Sequence, residues 1–358
     1  MGGLAMRRLD RYIVSSVSSA MLLVMAIVLS LDFLFAFIGE MGELANDYQA
    51  LDALMFVMTT LPRRIYDYLP LGAFMGCLVG LGAMAKNSEL VVIRAAGVST
   101  GRIVLSAMKP ALTVVLIGLL LGEFVAPYTE KMAQSQRAVL QGAESNIATH
   151  SGLWHREGQV FMHFNAVEPN GVLHGLSLQY YDESKRLLKS RFAKRAIFQR
   201  GRWQLENVVQ TEFLDGRTAV SRFPILDWDT ELSPSVLNVL IVKPDNLSIS
   251  GLFTYAKYLQ EQDLSSAEYM MSFWKKLLQP LSTAVLVLVA ISFVFGPLRS
   301  VTMGFRVFSG VVVGLLFKYA QDLLGPSSLV FGFNPIYATL VPIVVCFLVG
   351  AYLLKKAR

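Results

Sequence analysis

The sequence predicts an α-helical membrane protein with six transmembrane helices, three on each side of an inserted all-β domain. The chain of 358 residues is 54% hydrophobic and only 16% charged, which is unusual for a soluble domain. Its apolar residues form six runs of about 20 residues or more, the helix length that crosses ~30 Å of hydrocarbon. A polar segment rich in strand-like patterns separates the third run from the fourth.

The six predicted spans follow these apolar runs. They cover residues 12–38, 53–85, 103–126, 273–295, 304–324 and 335–354. The first run is too long for a cleaved signal peptide and lacks a small-residue cleavage site, so we expect it to be a span. Both cysteines, Cys77 and Cys346, fall inside spans, where we expect small packing residues and no disulfide.

Charges in the short connections predict the orientation of the spans. Basic residues collect on one side if the spans alternate: Arg7, Arg8, Arg11, Lys86, Arg94, Arg102, Arg299, Arg306, Lys355, Lys356 and Arg358. The connections on the other side are acidic or neutral. The positive-inside rule then predicts that both termini are cytoplasmic and that the β domain lies on the outer side, which in a bacterium would be the periplasm. The net charge of +6 reflects this topology, and we expect no binding to nucleic acid.

The polar segment predicts a β-jellyroll or sandwich. Turn signals recur at Glu157-Gly158, Asn170-Gly171, Glu183-Ser184, Gly201 and Asp215-Gly216. Strand-like patterns between them cover 160–164, 173–181, 192–199, 203–213 and 219–228. We therefore divide the chain into 1–127 (spans one to three), 128–250 (the β-jellyroll with a flanking helical linker) and 251–358 (a linker helix and spans four to six).

Two polar sets in this domain have ordinary explanations. The four histidines are His150, His155, His163 and His174, and their spacing matches no familiar metal-ligand pattern. We expect strand histidines, no metal and no other cofactor. A basic run from Lys185 to Arg202 is expected to protect a solvated strand edge.

Five basic residues are predicted to lie at or near the outer leaflet. They are Arg63, Arg64, Lys275, Lys276 and Lys318. About 22 residues of helix, or ~33 Å, separate Arg64 from Lys86 at the cytoplasmic surface. One interpretation is snorkelling at helix ends, with Lys318 paired to Asp322 one turn away. The other is a cavity that binds an anionic lipid head, because several cations suit a phosphate-bearing head.

The connection between spans two and three predicts a short helix at about 87–97. Asn87 or Ser88 is suited to cap it, and Gly97 to end it. We expect its contact residues with a cytoplasmic partner to be Glu89, Leu90, Val91, Ile93 and Arg94. The alternative is a plain interfacial helix.

Catalytic motifs are not supported. Gly97-Val-Ser99-Thr-Gly101 fits the GxSxG pattern, but it lacks the strand-turn-helix context. No phosphate-binding GxxxxGK[ST] occurs in the sequence. We expect no catalytic residues, and any ATP hydrolysis must come from a separate cytoplasmic subunit.

Several stretches resemble the LptF/LptG family, the permeases of the lipopolysaccharide-export ABC transporter, and most closely its G-type branch. They are Leu9-Asp10-Arg11-Tyr12-Ile13, Ser88-Glu89-Leu90-Val91-Val92, Ser248-Ile249-Ser250-Gly251-Leu252, Gln279-Pro280-Leu281-Ser282 and Phe295-Gly296-Pro297-Leu298-Arg299-Ser300. The resemblance covers essentially the whole chain.

This resemblance implies a permease subunit that extracts lipopolysaccharide from the outer leaflet of the inner membrane toward a periplasmic jellyroll bridge. It implies an LptF-like permease, an LptB-like cytoplasmic ATPase dimer and an LptC-like single-span protein as partners. Glu89 would be the glutamate that contacts the ATPase. The chain departs from the family by carrying Asp32, Glu40 and Glu43 where basic residues near the end of the first span hold lipid phosphates. Either those phosphate contacts are absent, or the cations of spans two, four and five replace them, and the depth of these cations favours replacement.

Three alternatives belong to other classes. A lipoprotein-release permease usually has four spans, which the three-plus-three layout opposes. A membrane enzyme that modifies a lipid head would need an acid, base or metal constellation, and the sequence shows none. A periplasmic scaffold without lipid transport would need neither cations at headgroup depth nor a helix presented to a cytoplasmic groove.

Overall fold

The computed structural model describes residues 2–45, 47–141, 153–167, 172–199, 201–214, 216–230, 232, 244–261, 265–296 and 301–356. The chain forms two compact units. The helical unit comprises Met1–Phe35, Pro62–Val125 and Ala267–Arg358. The β-rich unit comprises Ala36–Leu61 and Ala126–Ser266.

Ten α-helices are found within the described ranges. They are α1 Gly2–Met41, α2 Ala50–Thr59, α3 Leu61–Lys86, α4 Glu89–Ala95, α5 Thr100–Leu120, α6 Ala126–Leu140, α7 Ile249–Glu261, α8 Ala267–Phe295, α9 Met303–Phe331 and α10 Pro335–Lys356. A π-helical turn, Leu121–Val125, joins α5 to α6. Of the described helices, six are long and apolar enough to cross a membrane: α1, α3, α5 with its continuation, α8, α9 and α10. This confirms the predicted fold class, in which three transmembrane helices precede the inserted domain and three follow it.

The second predicted span begins later than its hydropathy indicated. The apolar run 53–85 is divided, with α2 ending at Thr59 and α3 beginning at Leu61. Pro62 explains the break, because proline has no N–H and its ring clashes with the carbonyl four residues earlier. The helix α2 therefore belongs to the β-rich unit, and only α3 qualifies as the span.

Helices α1 and α3 approach each other along a glycine ridge. Gly72, Gly76 and Gly80 recur every four residues on α3, so they share one face of that helix. A Cβ atom at Gly76 would lie 2.3 Å from the Cα atom of Met21, and one at Gly80 would lie 3.1 Å from that of Val17. This close approach is the small-residue packing that membrane helices use, since lipid supplies no hydrophobic drive between them.

The β-rich unit contains one antiparallel sheet. Its described strands are β1 Leu153–Glu157, β2 Val160–Phe164, β3 Ala166–Val167, β4 Leu173–Tyr181, β5 Leu187–Gln199, β6 Arg202–Leu214 and β7 Arg217–Trp228. The strand order is β1-β2-β4-β5-β6-β7, with the short β3 also paired to β4. If the short β3 is left aside, each strand pairs with the next strand along the chain. The inserted all-β domain is confirmed, and its connections are those of a meander.

One face of the sheet carries an apolar core. Phe164, Leu176, Trp203 and Leu205 are fully buried there. The indole N–H of Trp203 donates to the carbonyl oxygen of Leu232 at 2.6 Å, which satisfies the polar atom of the largest buried side chain.

The prediction that the basic run protects a strand edge is wrong. Most of the run lies on β5, which pairs with β4 on one side and β6 on the other. This makes β5 an interior strand of the described sheet. Arg191 lies on its core-facing side, opposite the buried Leu178, and donates to Gln210, whereas Arg195 is exposed and pairs with Glu206. The predicted turn at Asn170-Gly171 and the histidine at 150 lie outside the described residues.

Candidate functional site

Two predicted lipid-head residues lie at the start of α3. The guanidinium of Arg64 is 2.8 Å from Oδ2 of Asp32 on α1, and the hydroxyl of Tyr68 donates to Oδ1 of the same carboxylate at 2.8 Å. Arg63 lies 3.7 Å from Asp67, one turn along α3. Asp32 therefore compensates the charge of Arg64, an arrangement that neither residue's sequence context indicated.

The other predicted cations belong to α8 and α9. Lys276 is buried, with its ammonium 5.1 Å from the ring centre of Tyr66 on α3. Lys275 pairs with Asp322 of α9 at 3.6 Å, so Asp322 does not form the anticipated pair with Lys318. Lys318 is exposed and makes no ion pair with any residue that the structure describes.

These contacts link four helices of the helical unit. Asp32–Arg64 joins α1 to α3, Lys276–Tyr66 joins α3 to α8, and Lys275–Asp322 joins α8 to α9. We call these six residues the polar belt: Asp32, Arg64, Tyr66, Lys275, Lys276 and Asp322. The belt includes three of the five predicted lipid-head cations and two acids that the sequence interpretation did not assign to them. The signal that could have found the acids is their depth, because Asp32 lies ~31 Å of helix beyond Arg11.

The predicted short helix between spans two and three is α4, and it presents a different face from the one expected. Leu90 and Ile93 are only 5% and 8% exposed and pack into the core of the helical unit. Val91 and Val92 are 50% and 66% exposed. The outward apolar surface of α4 therefore consists of Val91 and Val92, the second of which was missed.

The predicted side-chain cap of α4 is absent. Ser88 precedes the helix with a left-handed φ of 60°, and its side chain makes no capping hydrogen bond. This backbone differs from the extended conformation that a capping serine normally adopts, which explains the missing bond. Gly97 follows the helix with φ of 85°, as expected of a residue that ends it.

Glu89 is tied to the first span. The hydroxyl of Tyr12 on α1 donates to Oε2 of Glu89 at 2.8 Å. Two residues earlier on α1, Asp10 accepts from Ser106 at 2.9 Å and pairs with Arg102 at 3.2 Å, both on α5. The predicted cytoplasmic end of α1 is thus joined by polar bonds to both α4 and α5.

The acidic residues after the first span form a separate cluster inside the β-rich unit. Arg137 of α6 lies 2.8 Å from the buried carboxylate of Glu40 and 3.5 Å from Glu43. Tyr48 donates to Glu40 at 3.1 Å, and the guanidinium lies 5.2 Å from the ring centre of Phe56. Burial, together with the negative charge of Glu40, raises the pKa of Tyr48 well above its usual value, so this hydroxyl remains a donor.

No group of three or more histidine, cysteine, aspartate or glutamate side chains that could hold a metal occurs within the described ranges. His155 is buried in β1, and its Nε2 lies 3.3 Å from the hydroxyl of Tyr258 on α7. Burial lowers the pKa of His155, and the nearby charge of Glu157 opposes this shift. This histidine therefore belongs to the packing between β1 and α7.

These features define a class: a polytopic membrane protein with an extramembrane β domain inserted between two triplets of spans. Within this class, the chain belongs to the family described as lipopolysaccharide export system permease LptF/LptG, whose model matches residues 11–356.

Curated relatives agree over nearly the full length. The chain is 36% identical over 97% of its length to the lipopolysaccharide export system permease protein LptG of Escherichia coli (strain K12), covering 98% of that protein. It is 31% identical over 98% of its length to the protein of the same name from Haemophilus influenzae, covering 99% of it. The family prediction made from the sequence is confirmed.

Proposed function

We propose that this protein is a permease subunit of an ATP-driven exporter in the bacterial inner membrane. It extracts lipopolysaccharide from the outer leaflet and passes it to a periplasmic jellyroll bridge that leads to the outer membrane. The observation that carries this proposal is the family match over residues 11–356, together with relatives of nearly equal length that are named lipopolysaccharide export permeases. In this proposal both termini are cytoplasmic, residues 1–127 and 251–358 contain the spans, and residues 128–250 contain the periplasmic jellyroll. The β-rich unit also includes Ala36–Leu61 and the linker helix α7.

The partners in this proposal are an LptF-like permease, an LptB-like ATPase dimer and an LptC-like single-span protein. The sequence contains no phosphate-binding loop of its own, so hydrolysis belongs to another subunit. The exposed pair Val91 and Val92, beside Glu89 and Arg94, gives α4 a small amphipathic surface suited to a groove on the ATPase. Leu90 and Ile93 support this surface from inside.

The lipid-head site in this proposal uses Arg63, Arg64, Lys275, Lys276 and Lys318. Three of these residues belong to the polar belt, where acids already compensate Arg64 and Lys275. Lys318 is exposed, as Lys275 is, but it makes no ion pair with a described residue, so it is the residue best placed to meet a phosphate first. Cations at this depth are costly in lipid, which supports a binding role.

Photo-crosslinking in cells tests the lipid proposal. A benzophenone amino acid replaces Lys318 of α9 in one strain and Tyr352, an exposed residue near the C-terminal end of α10, in a matched control. We expect an ultraviolet-dependent adduct with lipopolysaccharide at position 318 and none at position 352. Adducts with phospholipid alone, equal at both positions, would refute the lipid-head site.

Co-purification tests the ATPase contact. Val92→Asp places a charge on the exposed face of α4 and should reduce recovery of the ATPase with the permease at least several-fold. The matched control is Ser221→Asp, which adds the same charge at an exposed position of β7 in the β-rich unit. Equal ATPase recovery from the Val92→Asp and Ser221→Asp strains would contradict the proposed role of α4.

A further inference from the structure

The first span is held to its neighbours by two different kinds of contact. Its N-terminal half packs Val17 and Met21 onto the glycine ridge of α3, where backbones touch. Farther along, large apolar side chains are exposed, including Leu23, Ile27 and Phe35. Direct packing therefore weakens along α1 toward the predicted periplasmic end.

Asp32 lies in this weakly packed part. It is the only charged residue between Leu22 and Phe35 in the sequence. One carboxylate oxygen accepts from Arg64 and the other from Tyr68, each at 2.8 Å. These two bonds join the outer half of α1 to α3 by polar contact at a depth where an unpaired carboxylate would be costly.

The Asp32–Arg64 contact has the chemistry of an exchangeable pair. The side chains of Arg64 and Asp32 remain 15% and 18% exposed, so a ligand can reach them without unfolding the helices. A guanidinium binds phosphate with the same paired geometry that it uses for carboxylate. A phosphate group arriving at Arg64 can therefore replace the aspartate without leaving the cation unpaired.

We propose that Asp32 is an internal counter-anion that latches α1 to α3 and is displaced from Arg64 when the phosphate of a lipid head binds. The inference rests on the proposed function and identifies a residue that controls access to the same site. When the aspartate leaves, α1 loses its polar tie to α3 in its outer half, while the glycine ridge keeps its inner half in place. Lipid binding is thereby coupled to movement of the first span.

The latch makes a prediction about affinity. For a ligand that binds only open molecules, the apparent affinity equals the intrinsic affinity multiplied by the fraction of molecules in which the latch is open. Asp32→Asn removes the competing charge while preserving side-chain size, so it should raise the affinity for lipopolysaccharide about three- to tenfold. Arg64→Gln should lower the affinity, and Asp32→Asn should have no further effect in the Arg64→Gln background.

The experiment titrates fluorescently labelled lipopolysaccharide into the complete transporter complex in nanodiscs. The variants are Asp32→Asn, Arg64→Gln and their combination, with Asp52→Asn in the first turn of α2 as the control for removing an acid. Tyr68→Phe weakens the latch without changing charge and should give a smaller gain, so it serves if Asp32→Asn does not fold. An unchanged or lower affinity in both Asp32→Asn and Tyr68→Phe would overturn the latch. Failure of the wild-type complex to bind lipopolysaccharide would instead overturn the proposed function.

Spin labels distinguish a latch from a simple electrostatic effect. Nitroxides at Leu34 and Leu277, both exposed, report the distance from α1 to α8 once both native cysteines, Cys77 and Cys346, have been replaced. We expect the distance distribution to shift to longer values with lipopolysaccharide, and to do so without ligand in Asp32→Asn. The three samples are the wild type without ligand, the wild type with lipopolysaccharide and Asp32→Asn without ligand. Identical distance distributions in all three would overturn the latch even if the affinity rises.

Discussion

His155 shows how one buried side chain can make the β-rich unit sensitive to pH. Burial lowers its pKa in the folded chain, whereas the unfolded chain takes up a proton near the ordinary value of 6.5. As the pH falls below about 6.5, the unfolded state binds more protons than the folded state. The free energy of unfolding therefore decreases between about pH 6.5 and the lowered pKa. Above about 6.5, the stabilisation by neutral His155 is complete.

We therefore expect amide protection of β1 to decrease between pH 7 and pH 5 in the detergent-solubilised full-length protein, measured by hydrogen exchange and mass spectrometry. His155→Gln should show a flatter profile because it removes the titrating group while retaining a polar side chain. A wild-type profile as flat as that of His155→Gln would contradict the assignment.

Arg137 and Glu40 provide a second test at a single contact. Arg137→Gln leaves the carboxylate of Glu40 buried without its cation, which should cost about 1–3 kcal/mol. Glu40→Gln together with Arg137→Gln removes both charges and should recover part of this loss. Thermal unfolding of the single and double variants measures the difference, and strictly additive losses would show that the pair is not coupled.

The sequence interpretation of individual side chains was least accurate where partners come from distant parts of the chain. Asp32 is 32 residues from Arg64, and Tyr12 is 77 residues from Glu89. Nothing local to either residue indicates such a pair, because helix periodicity describes only neighbours three or four positions away. The anticipated Lys318–Asp322 pair was a local inference, and a cation from another helix replaced it.

The glycine ridge of α3, formed by Gly72, Gly76 and Gly80, allows helices α1 and α3 to pack closely. Gly76→Ala would place a methyl group against the backbone of Met21, so helix α1 must move away. We expect a loss of about 1–3 kcal/mol and a lower melting temperature in detergent, since overpacking of a tight contact is rarely absorbed. Gly101→Ala on α5 is the matched control, because no atom lies within 4 Å of its added Cβ. Equal melting temperatures for the two variants would contradict close packing at the ridge.

Elements were predictable where one physical signal dominated. Apolar runs longer than a bilayer found all six spans, and alternation between turn residues found five of the strands. The break at Thr60 was missed because hydropathy continues across it, although Pro62 marks the position. Strand order was not available, since alternation shows which side chains share a face and not which strand lies beside which. This is why β5 was mistaken for an edge.

The proposed orientation of the whole molecule rests on its charge asymmetry, and thiol labelling tests it directly. Ser221→Cys on β7 and Val92→Cys on α4 both place a thiol at an exposed position. In a background with Cys346→Ser, a membrane-impermeant maleimide should label position 221 in cells whose outer membrane is permeabilised. Position 92 should react only after the inner membrane is opened, as the positive-inside rule requires. The reverse pattern would invert the proposed topology.

The meander connectivity of the sheet also bears on how the protein is made. Strands that pair with their chain neighbours close short loops, which favours rapid folding. All residues of the β-rich unit precede Ala267, so it can be complete before the ribosome has synthesised the last three spans. The helical unit cannot, because α8 packs against both α5 and α10. During synthesis, the β-rich unit can therefore fold before the last three spans of the helical unit have been made.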